Sequence, residues 1–291
     1  MTYPIVQIKT KDKLDLYGLF LESPKSKTVF MNIHGTAGNF YEEDFIQFIA
    51  EKLNEEGISL LSTNNRGASV YDSYERSGAA TERFEDCLID IDGWIEFVMS
   101  KGYKNIILSG HSLGTEKAVY YMTRGTYKDK IEKMVLLGPS DSYGCHRMYD
   151  GQMNIEAQKR TDELLKISEG LMKEGKGGTF LARDAYGGGK PGGIMPKTAE
   201  SFVNFLGSGS KVLEALPFAT RKLESYSKIK VPILAVIGDG EEYTAITTDE
   251  ALELMKKENK NTQAVKLEDC NHDFQGKERE LAGIIYNFIS S

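Results

Sequence analysis

Short, mostly apolar runs alternate along this chain with longer segments of helical period, and no other feature narrows the possible folds as much. The runs lie at 29–33, 58–62, 106–109, 131–137, 233–237 and 263–267, each of strand length. Apolar residues at consecutive positions suit strands covered on both faces, as in a parallel sheet. Parallel neighbours need crossover connections, and the helical segments supply them. Phe84, Cys87, Leu88, Ile91, Ile95 and Val98 recur at three- and four-residue steps, as do Leu281, Ile284, Ile285, Phe288 and Ile289. Weaker patterns at 42–53, 116–124 and 249–257 read the same way. At the start, 5–8 and 14–21 flank Lys11-Asp12-Lys13 and read as a hairpin that would form an antiparallel edge. The expectation is an α/β chain with a mostly parallel, eight-stranded sheet flanked by helices.

The segment 142–230 breaks this rhythm. It offers a helix at 155–173 and glycine-rich stretches at 175–178 and 187–193, with no convincing sheet strand. A parallel sheet has no room for such a segment inside, so it is expected over the strand ends as an inserted, mainly helical cap or lid. Residues 1–141 and 231–291 would then form the core. With 36 basic against 43 acidic residues and a net charge of −7, counterion release gives nucleic acid little purchase. No apolar run nears the ~18 residues that a membrane span needs. Positions 1–13 lack the basic-then-apolar pattern of a secretory signal, which makes the cytoplasm the expected compartment. Cys87, Cys145 and Cys270 are odd in number and far apart, which argues for reduced thiols over a disulfide framework or a thiolate zinc site.

Gly110-His111-Ser112-Leu113-Gly114 follows one predicted strand and opens a helical segment. About 0.2 chance matches to G-x-S-x-G are expected in a chain of this composition, so the strand-turn-helix setting has to carry the inference. There the glycines leave room for a sharp turn presenting Ser112, and the helix starting at Leu113 points free N–H groups at a developing oxyanion. A serine hydroxyl needs a histidine base oriented by a carboxylate. His272 is placed for this, in the loop between the last strand and the last helix, whereas His111 is locked inside the turn and His146 falls in the 142–230 segment. The acid should follow the strand at 233–237, where Gly238-Asp239-Gly240-Glu241-Glu242 supplies three carboxylates. The usual offset from the strand-ending glycine points to Glu241, with Asp239 as the alternative. Asp141, after the preceding core strand, is a more distant option. His34-Gly35-Thr36-Ala37-Gly38 directly follows the strand at 29–33, so the Thr36 N–H can join that of Leu113 as an oxyanion hole, with His34 bracing the turn.

HGTAG, NNRG, GHSLG, GDGEE and NHDF occur in the order used by the α/β-hydrolase superfamily, which the chain resembles over its whole length apart from 142–230. Within it, Asn64-Asn65-Arg66-Gly67 and 238–243 are most similar to serine esterases related to fungal siderophore esterases. The resemblance implies cleavage of a carboxylic ester or related acyl compound, with Ser112 as nucleophile, His272 as base and Glu241 or Asp239 as acid. A glutamate there departs from the more frequent aspartate. The expected partner is a small-molecule acyl ester. Two competing readings keep the fold: a non-catalytic ligand-binding protein, or the same triad used for acyl transfer, perhydrolysis or peptide cleavage.

Other signals fail on context. Residues 187–192 spell G-x-G-x-x-G but follow no predicted strand and carry Pro191 where a helix should begin, and Gly189-Lys190 lacks the Ser or Thr of a phosphate loop. The four histidines show no zinc spacing and the acids near Asp239 no calcium-loop pattern, so neither cofactor nor metal is expected. Arg66 is expected to tie loops together, and Tyr71, Tyr74 and Tyr143 are candidate pocket residues.

Overall fold

The computed structural model describes residues 4–23, 27–181, 195–240 and 242–291. Strands β1 (Ile5–Lys9) and β2 (Asp15–Leu21) form the antiparallel hairpin read from the sequence, and β3 (Thr28–Ile33) opens the parallel part of the sheet. Helix α1 (Asp44–Glu55) leads to β4 (Ser59–Thr63), α2 (Cys87–Ser100) to β5 (Asn105–His111), and α3 (Leu113–Arg124) to β6 (Ile131–Leu137). The segment between β6 and the next sheet strand holds the short pair β7 (Met148–Tyr149) and β8 (Gln152–Met153), then α4 (Ile155–Lys173) and α5 (Ala199–Leu206). Strand β9 (Ile233–Gly238), α6 (Thr248–Glu258), β10 (Thr262–Leu267) and α7 (Glu278–Ser290) complete the chain. The eight-stranded sheet has the order β1-β2-β4-β3-β5-β6-β9-β10, antiparallel only where β2 meets β1 and β4. This is the α/β-hydrolase arrangement.

Side-chain alternation explains the layers. In β3, Val29, Met31 and Ile33 face one core with Trp94, Ile95 and Val98 of α2 and with α3 and α6, while Phe30 faces the other with Phe45 and Ile49 of α1 and Leu281 and Ile285 of α7. Each fully buried large apolar side chain contributes about 1.5–3 kcal/mol, so the central strands are anchored from both sides. A third cluster joins Leu164, Phe202, Phe205 and Leu206 of α4 and α5 to Phe84, Cys87, Leu113 and Tyr120. That cluster seats the intervening segment on the first residue of α3. The glycine-rich stretch at 187–193, with its rejected nucleotide motif, lies outside the described residues. Register then sets the functional edge. Ile33 pairs with Gly110, His111 with Leu137, and Gly238 with Leu267, so the residues following β3, β5, β6, β9 and β10 emerge along one rim, where open parallel sheets bind ligands.

Candidate active site

Ser112 links β5 to α3 at φ 54 and ψ −125, a conformation that costs a residue with a side chain on the order of 1–3 kcal/mol. Hydrogen bonds hold it there: its N–H donates to Leu137 O at 2.9 Å, and its carbonyl accepts from Thr115 N at 2.8 Å and Thr115 Oγ1 at 2.6 Å. The flanking glycines answer to space. A Cβ on Gly110 would stand 2.2 Å from Gly114 O, and one on Gly114 would stand 2.2 Å from Ile33 O. A Cβ on Gly35 would lie 2.8 Å from Ser112 Cβ, so the backbone leading into Thr36 runs alongside the serine. Leu113 begins α3, and its N–H therefore has no carbonyl to meet within the helix. His34 fixes the same turn, with Nδ1 2.7 Å from Gly35 O and Nε2 accepting the Asn65 N–H at 3.1 Å. That pattern needs a neutral ring, in keeping with burial, and then the Lys117 cation, pushing its pKa down to about 4.

His272 sits in the loop after β10, with Nδ1 2.5 Å from Glu242 Oε2. The Glu242 side chain is 2% exposed, and its Oε1 also accepts the Gly238 N–H at 3.2 Å. A ring whose Nδ1–H donates to a carboxylate leaves Nε2 as an acceptor. Here Nε2 is buried and has no hydrogen-bond partner among the described residues. Ser112, Thr36, Leu113 and His272 line one cavity of about 640 Å³, walled on its apolar side by Phe202, Phe205 and Leu206. Gly138, at φ 53, makes room for the imidazole, because a Cβ there would lie 2.8 Å from His272 Cε1.

The carboxylate that meets His272 is one residue beyond the expected Glu241, which itself lies outside the described residues. The other expected acid, Asp239, is turned away: its Oδ1 accepts the Cys270 N–H at 2.9 Å, a bond that also holds its carboxyl below the usual range. The physical reason is the path of the loop. Asp239 N–H bonds Leu267 O and Gly240 N–H bonds Cys270 O, both at 3.0 Å, so the chain continues beside the end of β10 before Glu242 comes back under the imidazole. Asp141 is occupied elsewhere, accepting from Gly144 N at 2.6 Å and Ala219 N at 2.8 Å.

Further residues emerge that sequence reading passed over. His111 places Nδ1 2.7 Å from Glu43 Oε1 and Nε2 3.0 Å from the His272 carbonyl. Glu116, one turn into α3, is fully buried, 2.9 Å from Ser140 Oγ and 2.5 Å from Ser142 Oγ, and burial pushes its pKa up to about 8. Lys117 forms a buried ion pair with Glu82 at 2.7 Å and reaches Asn65 Oδ1 at 2.9 Å. Adjacent charges just inside an otherwise apolar helix were the available signal. Arg66 ties loops together through Asp90, Asp12 and Asp86. Of the tyrosines, Tyr149 and Tyr243 line the cavity in place of Tyr71, Tyr74 and Tyr143. Tyr143 instead packs under Arg147, and Tyr71 against Phe180.

By its sheet order and connections the chain has the α/β-hydrolase fold. Residues 24–161 match the family described as Serine aminopeptidase, S33. Among curated proteins, no sequence matches the chain. Three solved structures share the fold over nearly all of it. Est1E from Butyrivibrio proteoclasticus superposes with TM-score 0.66 at 15% identity, covering 99% of this chain and 100% of its own. The Pyrococcus furiosus esterase Pf2001 gives TM-score 0.60 at 17% identity, covering 99% and 90%. The Exiguobacterium antarcticum esterase EaEST gives TM-score 0.60 at 19% identity, covering 98% and 99%. Among the described residues no helix is long and apolar enough to cross a membrane.

Proposed function

We propose that this chain is a carboxylic ester hydrolase working through an acyl-enzyme. Ser112 is the nucleophile, His272 the general base, Glu242 the acid that orients it, and the N–H groups of Thr36 and Leu113 are the oxyanion donors. Residues 142–230 act as a cap that shapes the pocket. The observation that carries the reading is the state of the His272 ring: one nitrogen is engaged by a buried carboxylate, and the other, in the cavity that Ser112 lines, is an acceptor without a partner among the described residues.

In the reaction, His272 Nε2 takes the Ser112 proton as Oγ adds to the ester carbonyl. Negative charge collects on the carbonyl oxygen beside Thr36 and Leu113. Collapse expels the alcohol, which receives the proton from His272, and water then repeats the sequence to release the acid. General-base assistance is worth about 10²–10⁴ in rate, and one oxyanion donor about 2.7–4 kcal/mol. The apolar wall of Phe202, Phe205 and Leu206 suits an apolar acyl or alcohol group. That two structural neighbours are named esterases adds support.

A peptidase reading draws on the description of the matching family and on Glu42 and Asp44, whose carboxylates on the cavity wall suit an ammonium group. The test pairs p-nitrophenyl esters with aminoacyl p-nitroanilides, alongside labelling by a fluorophosphonate. Ester turnover and labelling that Ser112→Ala abolishes, with its circular dichroism unchanged, are expected. Faster anilide turnover would favour the peptidase, and unchanged labelling of Ser112→Ala would overturn both readings.

A further inference from the structure

Resting on the ester-hydrolase reading, we infer that His111 is a buried imidazolium that acts as a positioning residue, holding the backbone of the base His272 while Glu43 keeps it charged. Both His111 nitrogens face atoms that only accept: Glu43 Oε1 at 2.7 Å and the His272 carbonyl at 3.0 Å. A neutral imidazole has one N–H and would turn a lone pair toward one of those oxygens; the cation satisfies both. Glu43 is itself oriented by Asn32 Nδ2 at 3.3 Å, and Phe45 packs edge-on to the His111 ring at 5.1 Å. The charged and titratable groups facing His111 are Glu43 from the loop before α1, and His272 and Asp273 from the loop after β10. Burial disfavours the cation, but the charge and hydrogen bond of Glu43 outweigh it and raise the pKa to about 9.

Glu242 aims the His272 ring from one side while His111 ties its backbone from the other, so the loop carrying the base is fixed at two points. Losing the His111 proton releases one of them. The alkaline limb of turnover therefore reports on His111, which acts through the backbone of His272.

The experiment measures kcat and KM for p-nitrophenyl acetate from pH 6 to 10 in wild type and Glu43→Gln, with fluorophosphonate labelling of Ser112 in both. Expected are an alkaline limb near pH 9 in wild type, a shift of that limb by at least about one pH unit downward in the variant, and a loss in kcat at pH 8.5 of about tenfold with KM nearly constant. An unshifted limb with Ser112 still labelled overturns the inference and leaves the hydrolase reading standing. Absence of labelling in wild type defeats the hydrolase reading itself. Should Glu43→Gln fail to fold, nitrogen-15 spectra of wild type with labelled histidines decide: two protonated His111 nitrogens at pH 7.5 support the cation, and one overturns it.

Discussion

Glu242 is the proposed acid because, of the two described carboxylates that follow β9, it is the one that meets the imidazole. Asp239 is consumed in holding Cys270, whereas Glu242 reaches His272. Glu242→Gln is expected to lower kcat by about 10³–10⁴, the range found when a triad acid loses its charge. Asp239→Asn and Glu241→Gln should each stay within about threefold of wild type. Steady-state kinetics on one ester checks all three, and a comparable loss from Asp239→Asn would reverse the assignment. That Ser112 and His272 would meet at one cavity was readable, because a strand-turn-helix setting and a loop before the last helix both follow from chain order. Which carboxylate meets His272 was not, because adjacent carboxylates look alike in sequence. The directions of Asp239 and Glu242 depend on the hydrogen bonds of Asp239 and Gly240 to Leu267 and Cys270.

Among the elements, strand register decides which small residues the site demands. Strands β3, β5, β6, β9 and β10 end level, so their connecting turns crowd together, and glycine appears where backbones or the base pass closely. Gly138→Ala would place a methyl 2.8 Å from His272 Cε1 at a residue with φ 53. It should lower kcat at least about 10²-fold, as misplacing a catalytic group by an ångström does, with a smaller effect on the melting temperature. Gly114→Ala would drive a methyl to 2.2 Å from Ile33 O, and backbone cannot yield there as a side-chain tip can. Loss of soluble protein or a stability drop of about 3 kcal/mol or more is expected in denaturant titration. The sheet strands and their crossover helices were legible from periodicity. Helix α5 and the β7–β8 pair were not, because two helical turns and two-residue strands are too short to establish a period along the sequence.

Across the whole molecule, buried acids tie stability to pH. Burial raises Glu116 from 4.5 to about 8 and Asp141 from 3.8 to about 6. The native state thus binds more protons than the unfolded chain between those limits, and stability falls as pH rises. His111, raised from 6.5 to about 9, adds the same sign: its contribution is complete below 6.5 and is lost through about 9. Buried neutral His34 works oppositely, costing stability as pH falls from 6.5 through about 4. The melting temperature should therefore peak under mildly acidic conditions and decline by on the order of 5 °C toward pH 8.5. Glu116→Gln should flatten that decline in calorimetry, and an unchanged slope would remove Glu116 as its source.

The most direct measurement is mass spectrometry of protein quenched within milliseconds of mixing with p-nitrophenyl acetate. A single acetyl group on the peptide containing Ser112, formed and lost at rates consistent with turnover and absent from Ser112→Ala, is the expected result. Hydrolysis that proceeds with no acetyl group on that serine, or equally fast in Ser112→Ala, would contradict the acyl-enzyme and with it the role given to this rim.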